Sequence, residues 1–166
     1  VKIQHATRGT LPFNTYDFQD DCVDDFNEHR FNVIVKSRQL GLSTLVAAYA
    51  VWLTIFYKDK NVLVIATKLA VAQNFIRKVK FAIRSLPPWL LMPEIVSNNK
   101  QSLEFSNGSI VKAIPTSDDA GRSEALSLLI VDEAAFVRNF DELWMGLYPT
   151  LSTGGRAIVL STPNGV

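Results

Sequence analysis

Two hydrophobic rhythms take turns along this chain. The run Val62 to Thr67 (VLVIAT) shows no alternation of apolar and polar residues, as expected of a strand covered on both faces. Phe31 to Val35, Leu126 to Val131 and Ala157 to Ser161 predict three further strands. Between them the period becomes helical. Ser43 to Tyr57 has a broad apolar face, and Lys58-Asp59-Lys60-Asn61 breaks it. From Leu69 to Leu86, the residues Leu69, Ala72, Phe75, Ile76, Val79 and Ile83 recur near every 3.6 positions, with Arg77, Lys78 and Lys80 placed outside. Pro87-Pro88 stops that helix. Asp17 to Arg30, with Phe18, Cys22 and Phe26 on one face, predicts an earlier helix, and Asp141 to Tyr148 a later one. Ser102 to Ser106 and Ile110 to Ile114 flank Asn107-Gly108, a dipeptide suited to positive φ, and so predict an antiparallel hairpin. Strands alternating with helices predict an α/β domain with a mainly parallel central sheet flanked by helices, plus that hairpin.

Composition narrows the class only a little. A chain of 166 residues suits one domain with a real core, and 48% hydrophobic with 20% charged residues excludes wholesale disorder. The net charge of +1 means that any contact with nucleic acid must come from a local patch. A lone cysteine, Cys22, permits no internal disulfide. The longest apolar stretch, Leu45 to Phe56, is too short to span a bilayer, so no membrane association is expected. The chain opens on Val1 rather than Met and reads as a single domain, residues 1–166, cut from something longer.

The chemistry concentrates at two places. The segment VIVKSRQLGLST, Val33 to Thr44, takes an apolar strand into a short polar loop containing Gly41 and then into a helix. A nucleotide phosphate site needs that order, because backbone N–H groups at a helix start present partial positive charge to an anion. The consensus GxxxxGK followed by Ser or Thr is half met: Ser37 stands at the first glycine and Leu42 at the lysine. Leucine cannot neutralise a phosphate, so either the site is silent or Lys36 or Arg38 supplies the charge. A capped helix start is the plainer alternative for Ser43 and Thr44. The second place is Asp132-Glu133, at the end of an apolar strand (LLIVDEAAF). Buried strands do not end in adjacent carboxylates without a cost that something offsets. A metal held by Asp132 and a water polarised by Glu133 are what phosphoryl transfer requires, whereas a helix start favouring acids is the plainer reading.

Taken together, SRQLG in the loop, NGS in the hairpin, the DDAGRS segment, VDEAAF with a following NF, and STPNG near the end resemble the ATPase domain of bacteriophage large terminase subunits, most nearly the T-even-like branch. These pieces extend from Phe18-Gln19 to Gly165. The resemblance implies a RecA-like P-loop ATPase fold and an ATP-hydrolysing, Mg2+-dependent motor that drives duplex DNA into a prohead. It gives Glu133 the catalytic role, Arg38 an approach to the γ-phosphate, and Arg122 the place of an arginine finger reaching a neighbouring subunit. ATP is expected on Gln19, Lys36, Ser37, Arg38, Gln39, Leu40, Gly41, Leu42, Ser43, Thr44 and Thr162, with Gln19 at the adenine edge and Mg2+ on Ser43 and Asp132. Ser161, Thr162 and Pro163 match the segment that couples hydrolysis to movement. T-even relatives carry lysine where Leu42 stands, but lambdoid members carry it at the start of the loop, as KSRQLGLS does with Lys36. The implied partners are double-stranded DNA, a portal protein, a small terminase subunit and further copies in a homo-oligomeric ring, a pentamer, at the prohead portal in the host cytoplasm. The family's nuclease domain would lie beyond this segment. Arg77, Lys78, Lys80 and Arg84 could touch DNA phosphates or form a solvated helix face; Trp144 and Tyr148 suit packing. A helicase-like nucleic-acid-remodelling ATPase and a nucleotide-binding domain without turnover are the alternatives.

Overall fold

A computed structural model describes residues 1–5, 7–91, 93–116 and 124–165. A short hairpin of β1 (Lys2–His5) and β2 (Gly9–Pro12) opens the chain, ahead of α1 (Asp17–Glu28). Then follow β3 (Phe31–Val35), α2 (Leu42–Phe56), β4 (Asn61–Ala66), α3 (Leu69–Arg84) and the strands β5 (Ile95–Asn98), β6 (Ser102–Phe105) and β7 (Ile110–Pro115). The chain continues through β8 (Leu128–Asp132), α4 (Phe140–Leu147) and β9 (Arg156–Ser161). The main sheet has the order β3-β9-β8-β4-β7-β6-β5. The five strands from β3 to β7 in that order are mutually parallel, while β6 runs antiparallel to both β7 and β5.

The unbroken apolar runs have a direct cause. Successive strand residues point to opposite faces, and both faces of the central strands are covered. Val62, Val64 and Ala66 of β4, Leu128 and Ile130 of β8, and Ile158 and Leu160 of β9 pack with α2 and α3. Their alternates Leu63, Ile65, Leu129, Val131, Ala157 and Val159 pack with Val137, Leu143, Leu147 and Leu151 on the other side. Burying each of the valine, leucine and isoleucine side chains contributes about 1.5–3 kcal/mol relative to exposure. At the edge of this layer Phe31 lies 6.1 Å from Trp144 of α4 and 6.1 Å from Tyr148, the residue after it, ring centre to ring centre.

The expected hairpin is β6–β7, but only Gly108 of its turn has positive φ, at 81°. Asn107 instead uses its side chain, with Nδ2 donating to the carbonyls of Thr54 (2.8 Å) and Tyr57 (3.1 Å), so the turn caps the end of α2. Three elements differ from expectation. The β1–β2 hairpin and the strand β5 have polar, short sequences without a marked period, and their strand form comes from pairing. The basic face foreseen on α3 is not uniformly solvated: Arg77 and Arg84 are exposed, whereas Lys78 and Lys80 are half-buried. Lys80 Nζ donates to the Asn99 carbonyl at 2.5 Å and ties α3 to the β5–β6 turn. Among the described residues, no helix is long and apolar enough to cross a membrane.

Candidate active site

The site forms where β3, β9 and β8, neighbours in the sheet, reach their C-terminal ends. Lys36 N donates to the Ser161 carbonyl at 3.0 Å, extending the β3–β9 pairing by one bond before the chain leaves the sheet. The loop then turns through two left-handed residues, Gln39 (φ 64°) and Gly41 (φ 71°), into α2. Gly41 caps the helix, its carbonyl accepting from Thr44 N (3.0 Å) and Leu45 N (2.9 Å). Glycine is favoured there by the positive φ, and a Cβ would stand 2.9 Å from Gln19 Nε2 and push on that side chain.

Gln19 clamps the loop from below. It is 1% exposed; Nε2 donates to the Leu40 carbonyl at 2.8 Å, and Oε1 accepts from Tyr16 N at 3.2 Å. Leu42, at the consensus lysine position, is 4% exposed and belongs to the core, so its side chain is part of the packing beneath the loop. The cation at the loop is Lys36. Its Nζ lies 3.2 Å from Glu133 Oε1, and the residue is buried. Ser37, Arg38, Gln39 and Leu40 are exposed, while Ser43 and Thr44 are half-buried at the start of α2.

Asp132 is the last residue of β8 and is buried. Ser43 Oγ donates to its Oδ1 at 3.4 Å. Burial pushes the Asp132 carboxyl above the usual aspartate range, against the opposing pull of Lys36, the Ser43 hydrogen bond and Lys78. Glu133 behaves differently. Burial raises its carboxyl, but the hydrogen bond and charge of Lys36, with the bonds from Thr162, outweigh it and hold the group below the usual glutamate range. Glu133 Oε2 accepts from Thr162 Oγ1 at 3.1 Å and from Thr162 N at 3.4 Å. Its backbone is left-handed (φ 56°, ψ 44°), which costs a non-glycine residue about 1–2 kcal/mol. Such a cost is retained where surrounding contacts over-determine the conformation, and the bonds to Lys36 and Thr162 do so here.

The end of β9 is joined to the turn after Glu133. Ser161 Oγ accepts from Ala135 N at 3.0 Å, and Asn164 Nδ2 donates to the Ala135 carbonyl at 2.9 Å. A cavity of about 360 Å³ lies over the loop, lined by Lys36, Arg38, Gly41, Ser43, Thr44, Lys78 and Glu133 among others. A second, of about 640 Å³, lies on the other side of Glu133 between Arg38, Lys68, Thr116, Arg138 and Thr162. A third of about 530 Å³ sits at the opposite end of the sheet, near Tyr49, Trp52, Ser127 and Arg156. Ligands of open α/β sheets bind at the carboxyl ends of strands, which favours the first two.

The expected residues Lys36, Arg38, Ser43, Asp132, Glu133 and Thr162 therefore meet in one place, and Arg122 lies outside the described residues. Lys68, Thr116, Arg138 and Asn164 also border the site and carried no assigned role in the sequence, and Lys78, read there as part of a basic outer face, borders it too. The periodicity put Lys78 outside the apolar face, whereas its position three residues after Phe75 and four before Ala82 sets it at the margin of that face. Among the described residues, no group of three or more His, Cys, Asp or Glu forms a metal cage. A hydroxyl beside one carboxylate still fits Mg2+, which takes one or two protein ligands and completes its shell with water and phosphate oxygens.

A mainly parallel sheet with a phosphate-type loop at one strand end and an acidic pair at another defines the RecA-like P-loop ATPase class of domain. Residues 33–166 match the family described as terminase large subunit, T4likevirus-type, N-terminal. The chain belongs to that family. Its fold is similar to that of a point mutant of the large terminase ATPase domain of Thermus phage P74-26, with a TM-score of 0.80 at 20% identity, covering 93% of this chain and 67% of that one. The bacteriophage HK97 large terminase aligns with a TM-score of 0.72 at 17% identity, over 91% of this chain and 34% of that one. The large terminase of another thermophilic bacteriophage, in complex with ATP-gamma-S, gives 0.65 at 11% identity, over 88% and 37%. The chain thus spans only about a third of the length of these last two proteins.

Proposed function

We propose that this chain is the ATP-hydrolysing motor domain of a viral large terminase, which drives duplex DNA into a prohead. The observation that carries the reading is the convergence of Lys36, Glu133 and Thr162 on one another beside the Ser43–Asp132 pair, at the ends of neighbouring strands. ATP-gamma-S in the thermophilic-phage relative supports a nucleotide as the ligand.

The triphosphate lies against the N–H groups from Gln39 to Ser43, where the start of α2 favours negative charge. Ser43 and Asp132 would hold Mg2+, which when bound would offset charge on the phosphate oxygens. Lys36 leaves Glu133 for the phosphates, its flexible stem allowing the swing. Glu133, held ionised, orients a water and takes its proton as the water oxygen bonds to the γ-phosphorus. The bond from that phosphorus to the bridging oxygen breaks, leaving ADP and phosphate. Thr162 stays on Glu133 and senses the change at the γ-position, and Arg38 stabilises charge from the open side of the cavity. Gln19 contributes chiefly by holding the loop at Leu40; it meets an adenine edge once its bond to Tyr16 opens. Arg122 of a neighbouring copy in a pentameric ring completes the site, and the portal protein and small terminase subunit supply the docking point and the DNA.

The test is steady-state ATP turnover with Mg2+ by the parent protein and Glu133→Gln. The expected result is turnover in the parent and its loss in the variant with Mg2+-ATP binding retained. Equal turnover in both would remove Glu133 from the chemistry and with it this assignment.

A further inference from the structure

We propose that Lys78, on α3, is a second phosphate-binding cation of this site, supplying part of the charge that Leu42 does not. The inference rests on the nucleotide-site reading above. α3 packs along α2, and Lys78 stands at the margin of the packed face, beside the buried residues Phe75 and Ala82. It is half-buried, and it lines the cavity over the loop together with Lys36, Arg38, Gly41, Ser43 and Glu133. It is therefore positioned differently from Arg77 and Arg84, which face solvent on the same helix.

A lysine on an apolar helix face ordinarily threads its stem along the surface and carries its ammonium to water or to a carboxylate. Among the described residues no carboxylate forms an ion pair with Lys78. Its ammonium is held below the usual lysine range by burial first, against the raising effect of Asp132 and with the lowering effect of Lys36. Two cations drawn to one cavity repel each other when it is empty, and an anion between them removes that cost. Lys36 answers to Glu133 while the cavity holds no phosphate, whereas Lys78 forms no ion pair among the described residues and feels the Asp132 carboxylate only at longer range. The cavity also receives the start of α2, whose N–H groups favour the same ligand. The ligand class is a polyphosphate, and the part of it nearest α3 is what Lys78 contacts.

The experiment is an equilibrium titration of Mg2+-ATP and of AMP into the parent protein, Lys78→Met and Lys78→Arg, with Tm recorded for each. Methionine keeps the stem and removes the charge. The expected result is a Kd for ATP raised about 10- to 100-fold in Lys78→Met, the range for losing one hydrogen bond to a charged group. AMP affinity should change less, Lys78→Arg should stay near the parent, and the Tm of Lys78→Met should match or exceed the parent's because a half-buried charge is gone. An ATP Kd within about twofold of the parent in Lys78→Met would overturn the inference while leaving the nucleotide site intact. A parent protein that binds no ATP would overturn the nucleotide reading itself, and the inference with it. Should Lys78→Met fail to fold, Lys78→Gln carries the same comparison.

Discussion

Lys36 Nζ lies 3.2 Å from Glu133 Oε1, while the other carboxylate oxygen of Glu133 accepts from Thr162. The cation suited to the phosphates and the carboxylate suited to the attacking water thus neutralise one another before nucleotide arrives. On the proposed reading, ATP would have to compete with Glu133 for Lys36, and phosphate binding would be coupled to release of the base.

Lys36→Met should therefore raise the Kd for Mg2+-ATP and also lower kcat, whereas Glu133→Gln should lower kcat by about 10²- to 10⁴-fold with ATP affinity equal to or tighter than the parent's. The tighter binding follows because a neutral glutamine holds Lys36 less strongly. Titration and initial-rate measurements on the two variants separate the effects; weaker ATP binding in Glu133→Gln would show that the pair does not compete with the ligand.

Restoring the consensus lysine should not help. Leu42 is 4% exposed and packed in the core, so Leu42→Lys is expected to lose about 2–5 kcal/mol of stability, the range for removing a large apolar side chain from such a site. Urea unfolding measures it. A variant of parental stability with tighter ATP binding would mean that the side chain turns out over the loop.

The loop depends on Gln19 and Gly41 acting together. Gly41→Ala carries a left-handed penalty of about 1–2 kcal/mol and drives a methyl toward Gln19 Nε2. Gln19→Leu removes the bond to Leu40 and leaves that carbonyl without this partner. Both should weaken ATP binding, and the double variant should lose less than the sum, since each disturbs the same contact. Strict additivity would argue against a clamp.

Ser43→Ala and Asp132→Asn should each abolish the Mg2+ dependence of ATP binding while leaving part of the metal-free affinity. Asp132→Asn is expected to be thermally no less stable than the parent without nucleotide, because it replaces a buried carboxylate whose ionised form is disfavoured by desolvation. Calorimetric titration with and without Mg2+, alongside melting curves, reads both consequences.

Arg122→Ala is expected to reduce turnover only under conditions in which copies assemble. Turnover measured across protein concentrations, with mass determined in parallel, checks this: a loss confined to assembled protein fits a finger acting between copies, and a loss in a verified monomer counts against it.

Much of this molecule can be read from sequence because its signals are local. The runs at Val62 and Leu128 are unbroken because both faces of the sheet are covered, and the strand–loop–helix order around Gly41 is a matter of adjacent residues. Ser43, Asp132 and Glu133 are legible for the same reason, each sitting at the end of an element that its own neighbours define. Lys36 could be put forward as the displaced cation, but its bond to Glu133 could not, because 97 residues separate them.

Tertiary structure decided what depends on distance in space. The order β3-β9-β8 brings Val35, Ser161 and Asp132 to one edge of the layer, although β9 is the last strand of the described chain. It buried Leu42 under the loop rather than over it, and it turned Gln19 into a clamp on Leu40. It also divided the basic residues of α3, leaving Arg77 and Arg84 in solvent, fastening Lys80 to Asn99 and placing Lys78 at the cavity over the loop. A helical period says which residues share a face, but only the packing of α3 against α2 says what that face meets, since burial and electrostatic partners belong to pairs of elements and not to either one alone.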